Sequence, residues 1–209
     1  MSGGLAGRLW AGNTGLARDA LWHPFVQGLA QGTLPRAAFC GYVAQDAYFL
    51  ESFARAYALA IAHSPDRESL ITFAELLRGA LEELQLHAGY AGRWQIDLDT
   101  TTPLPATTAY TGFLLDTARS GDPGLICTAM TPCLRLYAWL GQQLRAQVGR
   151  PVHAYADWID TYADPAFEAL ALRLEQLLDR LARPGSAVEH IYRRAMELEL
   201  AFFEAHRPH

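Results

Sequence analysis

The chain has 209 residues, a net charge of −5 and a pI near 5.8, and 51% of its residues are hydrophobic. This size and composition are typical of one globular domain, so we predict a single domain over residues 1–209. The acidic balance, without a basic cluster, argues against nucleic acid as a partner. No signal peptide and no apolar run of about 18 residues is present, so no membrane association is expected. Three cysteines without metal-type spacing predict reduced thiols in a cytoplasmic protein.

Helical periodicity runs through nearly the whole chain, and no segment alternates apolar and polar residues as a strand would. Prolines and glycines punctuate the periodic segments, and no linker is long enough to divide domains. In chain order, the predicted helices cover residues 5–30, 35–62, 67–94, 106–119, 122–147, 152–162, 165–182 and 187–205. We therefore predict an all-α fold, a single multi-helix bundle with any site built between helices.

Histidines in the first half of the chain do not form a metal-binding pattern. His23 precedes Pro24, and a histidine at a helix end commonly makes a structural hydrogen bond, although a haem ligand is the alternative. Glu83 and His87 are spaced i, i+4, for which a surface ion pair is the better explanation. Neither His-Glu-x-x-His nor the paired Glu-x-x-His motifs of di-iron bundles occur. We therefore predict no metal site.

The second predicted helix carries a lone carboxylate on an aromatic face. Asp46 is the only charged residue in 37–50, and Tyr42, Phe49 and Phe53 share its face at helical spacing. Burying a carboxylate without a partner costs several kcal/mol, so about that much must be compensated by another group. That group is either a basic side chain from elsewhere or a ligand.

Cys133 is the strongest candidate nucleophile in the fifth predicted helix. Pro132, just before it, either kinks a long helix or occupies the first turn of a new one. In the second case Thr131 caps the helix and Cys133 lies near its positive end, which favours the thiolate. The alternative is a small buried hydrophobic side chain, and this is the interpretation for Cys40 and Cys127.

Glu199, in the last predicted helix, is a second carboxylate on an apolar face. Met196, Phe202 and Phe203 lie three or four residues from it, whereas Glu197 points elsewhere. A carboxyl group in such surroundings has a raised pKa and can donate or shuttle a proton. A pair between Glu199 and an arginine of another helix is the alternative.

Six motifs along the chain are specific in combination, although none is specific alone. They are HPFVQGLAxGTLP at 23–35, YVxQDxYFL at 42–50, LEELxLHxxYA at 81–91, TxxYxxFL at 107–114, PCxxxY at 132–137 and YxxWIxxY at 155–162. Together they closely resemble the motifs of the TenA/thiaminase II family, and the resemblance covers nearly the whole chain.

The resemblance implies a helical fold like that of haem oxygenase but without haem, and usually a homotetramer (or a dimer). Members of the family hydrolyse aminopyrimidines derived from thiamine, and some also cleave thiamine. Carried over by position, the family's nucleophile falls on Cys133 and its acid/base glutamate on Glu199. The implied substrate-binding residues are Asp46 for the pyrimidine amine, Tyr110, Tyr137 and Tyr162 as tyrosines of the site, and Phe49 and Phe202 as ring-packing aromatics.

The predicted reaction replaces the amine, or the thiazolium, on the C5 methylene of a 4-amino-2-methylpyrimidine with hydroxyl, as a step of thiamine salvage. Glu199, with Tyr162 near it, protonates a ring nitrogen, and the Cys133 thiolate adds to a ring carbon. The resemblance implies no metal and no organic cofactor. Two alternatives are a haem-oxygenase-fold oxidase (di-iron or cofactor-free), for which the ligand set is missing, and a non-catalytic thiamine- or pyrimidine-binding protein, which would need neither residue.

Overall fold

The computed structural model describes residues 3–98 and 101–208, apart from the side chains of Leu86 and His87. All regular secondary structure in these ranges is helical, which confirms the predicted all-α fold. The helices are α1 (Leu5–Gly12), α2 (Thr14–Leu21), α3 (Pro24–Gln31), α4 (Arg36–Ala62), α5 (Arg67–Trp94), α6 (Pro105–Arg119), α7 (Pro123–Val148), α8 (Ala156–Tyr162), α9 (Pro165–Leu181) and α10 (Ser186–Glu204). None of the described helices is both long and apolar enough to cross a membrane.

The prediction of one helix over 5–30 is wrong, because this segment forms the three short helices α1 to α3. At the first break the Nδ2 atom of Asn13 donates to the carbonyl oxygen of Leu9 at 2.8 Å, so the side chain competes with the backbone bonds of a continuing helix. At the second break Pro24 disfavours helical backbone at the residue before it, and His23 is extended (φ −62°, ψ 137°).

His23 caps the first turn of α3 and ties it to the end of α10. Its Nδ1 atom accepts a hydrogen bond from the backbone N–H of Phe25 at 3.2 Å, and its Nε2 atom lies 2.8 Å from Glu204 Oε2. Both ring nitrogens therefore have structural partners, which confirms the interpretation of His23 as a structural residue.

Helix α8 begins four residues later than predicted. The ring of His153 accounts for the delay: its Nε2 atom lies 3.2 Å from the carbonyl oxygen of Ala30, and its Nδ1 atom accepts from the backbone N–H of Tyr155 at 3.2 Å. An N–H group used in this way is not available to a helical turn, so the helix starts at Ala156. The other six predicted helices end within one residue of the observed bounds.

The long helices pack around one hydrophobic core in which the chemically interesting residues are brought together. Helix α4 packs along α5 and α6, whereas α7 packs against α8, α9 and α10. Helix α7 packs tightly onto the end of α8, where a Cβ atom added at Gly141 would lie 2.3 Å from the carbonyl carbon of Tyr162. Glycine at this position lets the two backbones touch, and this contact sets the place of Tyr162.

Candidate active site

Cys133, Glu199 and Tyr110 meet in the interior although they come from three different helices, α7, α10 and α6. The hydroxyl of Tyr110 donates to Glu199 Oε1 at 2.6 Å. The thiol of Cys133 lies near enough to the same carboxyl group for each to shift the pKa of the other. Glu199 is only 2% exposed and Tyr110 only 1%, while Cys133 is half-buried. The structure therefore brings the predicted nucleophile and the predicted acid close together in the interior.

Glu199 has an unusually high pKa, and burial is its main cause. It raises the pKa of this carboxyl group to about 8, while the hydrogen bonds from Tyr110 and Cys133 lower the pKa and the charge of Asp46 raises it. Its partners among the described residues are thus a hydroxyl and a thiol, not the arginine of the alternative interpretation. At neutral pH a carboxyl group with this pKa is mostly protonated and can donate a proton.

The hypothesis that a helix N-terminus activates Cys133 is wrong. Pro132 lies inside α7, not in the first turn of a new helix, and Thr131 Oγ1 donates to the carbonyl oxygen of Cys127 at 2.7 Å instead of capping. Burial, followed by the charge of Glu199, raises the pKa of the Cys133 thiol well above its usual range. The resting group is therefore a neutral thiol, and it needs a proton acceptor before it can attack.

Three carboxyl groups lie within electrostatic range of this thiol. The charges of Glu199, Glu83 and Asp46 all add to the effect of burial in raising the pKa of Cys133. They are not arranged as a metal site, since no three His, Cys, Asp or Glu side chains of the described part converge on a point that could hold an ion. Carboxyl groups at this depth attract ligands that carry positive charge.

Asp46 lies in the interior on α4, as its aromatic helix face predicts. It is 5% exposed, and its carboxylate charge raises the pKa values of Cys133, Glu199 and Tyr110. Asp46 is therefore a buried carboxylate within electrostatic range of these three groups.

Aromatic rings form an apolar wall next to these polar groups. The ring centroid of Phe49 lies 4.7 Å from that of Tyr110 and 6.1 Å from that of Phe202, with tilted planes in both cases. Phe202 in turn contacts Tyr42 edge-on, with centroids 5.9 Å apart. The two predicted ring-packing residues, Phe49 and Phe202, therefore share one surface with Tyr110.

The expected partnership of Tyr162 with Glu199 is not found among the described contacts. The hydroxyl of Tyr162 donates to Glu83 Oε1 at 2.6 Å, and Tyr110 takes the place beside Glu199. Tyr162 still borders the site, because its ring packs edge-on against that of Tyr137 with centroids 4.8 Å apart. Tyr110, and not Tyr162, is thus the tyrosine bonded to Glu199.

Two residues of the site, Tyr42 and Trp158, are not among the predicted substrate-binding residues. Trp158 Nε1 donates to the hydroxyl of Tyr42 at 3.3 Å, and that hydroxyl donates to the hydroxyl of Tyr137 at 3.2 Å. The chain of bonds fixes the hydroxyl of Tyr137 in the buried site. The sequence does indicate Tyr42, since it precedes Asp46 by one helical turn on the same helix face.

Glu83 is a further carboxylate that the sequence analysis did not place in the site. It is half-buried and bonds Tyr162, whereas the spacing to His87 suggested a surface ion pair. The side chain of His87 lies outside the described residues. The better signal is that Leu76 and Ala80, buried residues of α5, precede Glu83 at helical spacing and mark its face as the inner one.

Comparison with known proteins places this arrangement in a family. A model described as the TENA/THI-4/PQQC family matches residues 11–207. The chain is 36% identical over 172 residues to the aminopyrimidine aminohydrolase of Halalkalibacterium halodurans, which covers 80% of this chain and 77% of that protein. It is 34% identical over 228 residues to the mitochondrial bifunctional TH2 protein of Arabidopsis thaliana, covering 96% of this chain but 37% of that longer protein.

Solved structures show the same architecture. A TenA family transcription regulator from Silicibacter sp. TM1040 superposes with a TM-score of 0.91 at 32% identity, over 99% of this chain and 98% of that one. Haem oxygenase-1 from Synechocystis, at 20% identity and a TM-score of 0.63 over 97% of this chain and 91% of that one, shares the fold alone. The predicted haem-oxygenase-like fold and the resemblance to TenA/thiaminase II are confirmed, and the chain belongs to the TENA/THI-4/PQQC family.

Proposed function

We propose that this protein hydrolyses 4-amino-5-aminomethyl-2-methylpyrimidine to the 5-hydroxymethyl compound in thiamine salvage, by covalent catalysis at Cys133. The observation that carries the proposal is the placement of Cys133 and Tyr110 beside one protonated carboxyl group, that of Glu199. A latent nucleophile and an acid at one point are what addition to a basic heteroaromatic ring requires. The name aminopyrimidine aminohydrolase, which several relatives carry, supports the reaction class.

The substrate is held by the aromatic wall of the site and by the carboxylate of Asp46. Phe49 and Phe202 hold the flat ring by apolar contact, and the carboxylate of Asp46 accepts a hydrogen bond from the exocyclic 4-amino group. The negative charge of the site also stabilises the ammonium form of the aminomethyl group. Asp46 is therefore an orienting residue in this scheme, not the nucleophile or the proton donor.

The covalent step couples two proton transfers through Glu199. The carboxyl group gives its proton to a ring nitrogen, which makes the ring electrophilic, and it accepts the proton of the Cys133 thiol as sulfur bonds to a ring carbon. The positive charge on the ring offsets the negative surroundings that otherwise keep the thiol neutral. Glu199 ends this step protonated again, so no net charge is added to the buried site.

Elimination and hydration complete the reaction. The adduct expels ammonia from the ammonium-bearing methylene. Water then adds to the exocyclic carbon and gives one proton to the expelled ammonia, and the bond between Cys133 and the ring breaks as aromaticity returns. The departing sulfur regains its proton from Glu199, which receives the ring proton in exchange. The balance is one water consumed and one ammonium released for each hydroxymethylpyrimidine, using only side chains of the site.

Three further expectations stand on the resemblance and composition and remain proposals: one domain over residues 1–209, a homotetramer (or dimer), and a cytoplasmic location. A small aminopyrimidine or thiamine is the proposed ligand, with no nucleic acid or membrane partner. The name of the Arabidopsis relative places that longer protein in mitochondria.

The reaction class is tested by measuring release of hydroxymethylpyrimidine from three compounds: the aminomethylpyrimidine, its N-formyl derivative and thiamine. We expect turnover of the aminomethylpyrimidine, and the ratio of the three kcat/KM values gives the preferred substrate. Absence of hydroxymethylpyrimidine from all three reactions would refute the proposed function. Metal analysis of the same preparation addresses the alternative of a haem-oxygenase-fold oxidase.

Asp46→Asn is expected to lower kcat/KM for the aminomethylpyrimidine by about 10- to 100-fold, mostly through a higher KM, because a charge-assisted hydrogen bond is worth about 1.5–3 kcal/mol. The measurements are steady-state kinetics and calorimetric binding of hydroxymethylpyrimidine. Glu51→Gln is the matched control, since Glu51 is exposed on the same helix. An unchanged KM together with a collapsed kcat would show that Asp46 takes part in the chemistry.

A further inference from the structure

The hydroxyl groups of the site can be sorted into donors and acceptors by following where each proton goes. The indole Nε1–H of Trp158 can only donate, and it donates to the hydroxyl oxygen of Tyr42 at 3.3 Å. Tyr42 is fully buried, so its own proton needs a protein acceptor, and the described residues offer the hydroxyl of Tyr137 at 3.2 Å. The indole therefore fixes the direction of both bonds.

Tyr137 consequently keeps its own proton for a ligand. Its oxygen accepts from Tyr42, and the hydrogen bonds of the described residues include no acceptor for the proton of Tyr137. The residue is only 5% exposed, so bulk water does not take that place. A buried hydroxyl is satisfied when it donates to an acceptor atom of a bound molecule. Toward a ligand, Tyr137 is thus a donor.

Tyr162 has the opposite polarity, because Glu83 takes its proton. The hydroxyl of Tyr162 donates to Glu83 Oε1 at 2.6 Å, and a carboxylate can only accept. Tyr162 is 3% exposed, and its oxygen retains lone pairs but has no second proton to give. A hydroxyl that donates to a carboxylate also becomes a stronger acceptor, since hydrogen bonds in a chain polarise one another. Toward a ligand, Tyr162 is therefore an acceptor.

Glu83 comes from α5, but it lies within electrostatic range of the reacting groups. Its charge raises the pKa of Cys133 and that of Glu199. The ring of Tyr162 packs edge-on against the ring of Tyr137, with centroids 4.8 Å apart. An acceptor held by Glu83 and a donor held by the indole chain are thus neighbours in the site.

The proposed substrate carries a matching set of polar groups. In the scheme above, Asp46 accepts from the 4-amino group and Glu199 protonates one ring nitrogen. Two groups remain: the second ring nitrogen, which only accepts, and the ammonium of the aminomethyl group, which only donates. Tyr137 as donor matches the nitrogen, and Tyr162 as acceptor matches the ammonium. The reverse pairing would set a hydroxyl proton against the protons of the ammonium.

We propose that Glu83 is a positioning residue that selects substrates by their leaving group: by holding the hydroxyl proton of Tyr162, it presents the oxygen of Tyr162 to an N–H group on the reacting methylene. The inference rests on the proposed function, since it takes the pyrimidine to be held by Asp46 and Phe49. An ammonium satisfies Tyr162, whereas a leaving group without N–H, such as a thiazolium, leaves its oxygen unpaired at a cost in affinity.

The test measures binding in a Cys133→Ala background, so that it does not depend on turnover. The two probes are the aminomethylpyrimidine and 4-amino-2,5-dimethylpyrimidine, which lacks only the amine. Glu83→Gln should weaken binding of the aminomethylpyrimidine by about fivefold or more and change that of the dimethyl compound by less than about twofold. Glu82→Gln is the matched control, since Glu82 is exposed on the same helix and paired with Arg78. Calorimetry gives the dissociation constants, and the thermal midpoint checks folding.

A double-mutant cycle shows whether Glu83 acts through Tyr162. Tyr162→Phe alone should weaken binding of the aminomethylpyrimidine by about tenfold or more, because the acceptor oxygen is lost. In that background Glu83→Gln should have less than about a twofold further effect, since no hydroxyl proton is left for it to hold. A residue that only supports the fold, or acts by its charge alone, would give the same loss in both backgrounds.

The inference is overturned if Glu83→Gln weakens both ligands equally, if it weakens neither, or if its effect and that of Tyr162→Phe are additive. Failure of the proposed function shows itself elsewhere, in the native protein. Native protein that releases no hydroxymethylpyrimidine, while the cycle still shows coupling for the aminomethylpyrimidine alone, would refute the hydrolase and leave Glu83 and Tyr162 as parts of an amine-binding site.

Discussion

Replacing Cys133 with alanine is expected to reduce turnover of the aminomethylpyrimidine by about 10³-fold or more, while affinity for hydroxymethylpyrimidine stays within about twofold of native. The substitution removes the sulfur that bonds to the ring. It leaves the carboxylate of Asp46 and the ring of Phe49, which hold the pyrimidine. The measurements are the rate of hydroxymethylpyrimidine release and calorimetric binding of the product.

Cys127→Ala is the matched control for this experiment. Cys127 lies on the same helix and is fully buried, and burial raises the pKa of its thiol as it does at Cys133. It is hydrogen-bonded neither to Glu199 nor to Tyr110 in the described contacts, so its loss is expected to leave kcat/KM near the native value. Substantial residual activity in Cys133→Ala, with Cys127→Ala unchanged, would contradict the covalent scheme.

The two cysteines also show why a high pKa is compatible with a nucleophile. Both thiols are neutral because they are buried, but only Cys133 lies beside a proton carrier. In the proposed scheme the thiol loses its proton when Glu199 passes its own proton to the bound ring. Reactivity is then tied to the presence of substrate, and the resting thiol is poorly reactive toward solvent oxidants and electrophiles.

The fold was largely predictable because most helices carry their boundaries locally. Helix α5 ends where periodicity predicts, and its first turn is fixed by Asp66, whose Oδ1 atom accepts from the backbone N–H of Ser69 at 2.7 Å. The segment before α4 was not predictable in this way. Its apolar pattern continues through Asn13, and only a side-chain bond to the preceding turn shows that the helix stops there.

Neighbours in the site were predictable where they lie on one helix and unpredictable where they come from two different helices. Asp46 and Phe49 lie one turn apart on one face, so periodicity alone places them together. Tyr110 and Glu199 are 89 positions apart, and their hydrogen bond follows from how α6 and α10 pack. No local pattern encodes that contact, and the family resemblance supplied the residue types but not the pairing.

Local reasoning also predicted the direction of the pKa shift of the Cys133 thiol wrongly. A cysteine after a proline suggested the first turn of a helix, where the pKa falls. Inside α7 the peptide groups of the turn are already bonded within the helix, and burial among carboxyl groups dominates instead. The environment from other helices therefore decides the protonation state of Cys133, and the sequence of its own helix does not.

Glu199→Gln is expected to lower kcat/KM by about 10²- to 10⁴-fold, the usual contribution of a positioned acid, and to remove the alkaline limb of the pH profile. In the native protein the active form has this carboxyl group protonated, with a pKa of about 8. The kcat/KM value should thus be level below about pH 8 and fall about tenfold per pH unit above it. Glutamine keeps an oxygen that accepts from Tyr110 but cannot give up a proton.

The pH dependence of the free energy of unfolding should show the titration of Glu199 independently of activity. The pKa of Glu199 in the folded protein, about 8, lies above its ordinary value of 4.5, so the folded state binds the proton more tightly. The resulting stabilisation is fully present below about pH 4.5 and is lost as pH rises to about 8. Differential denaturation of native protein and Glu199→Gln over this window should show the slope in the native protein and its absence in the variant.

Glu197→Gln provides the control for both measurements. Glu197 lies two residues away on α10, half-buried and paired with Arg193, and so reproduces the loss of a carboxylate without touching the site. Tyr110→Phe is expected to shift the pH profile instead of leaving it unchanged. It removes a hydrogen bond that lowers the pKa of Glu199, so the alkaline limb of the profile should move to higher pH. A native pH profile in Glu199→Gln, or a limb that moves to lower pH in Tyr110→Phe, would show that another group supplies the proton.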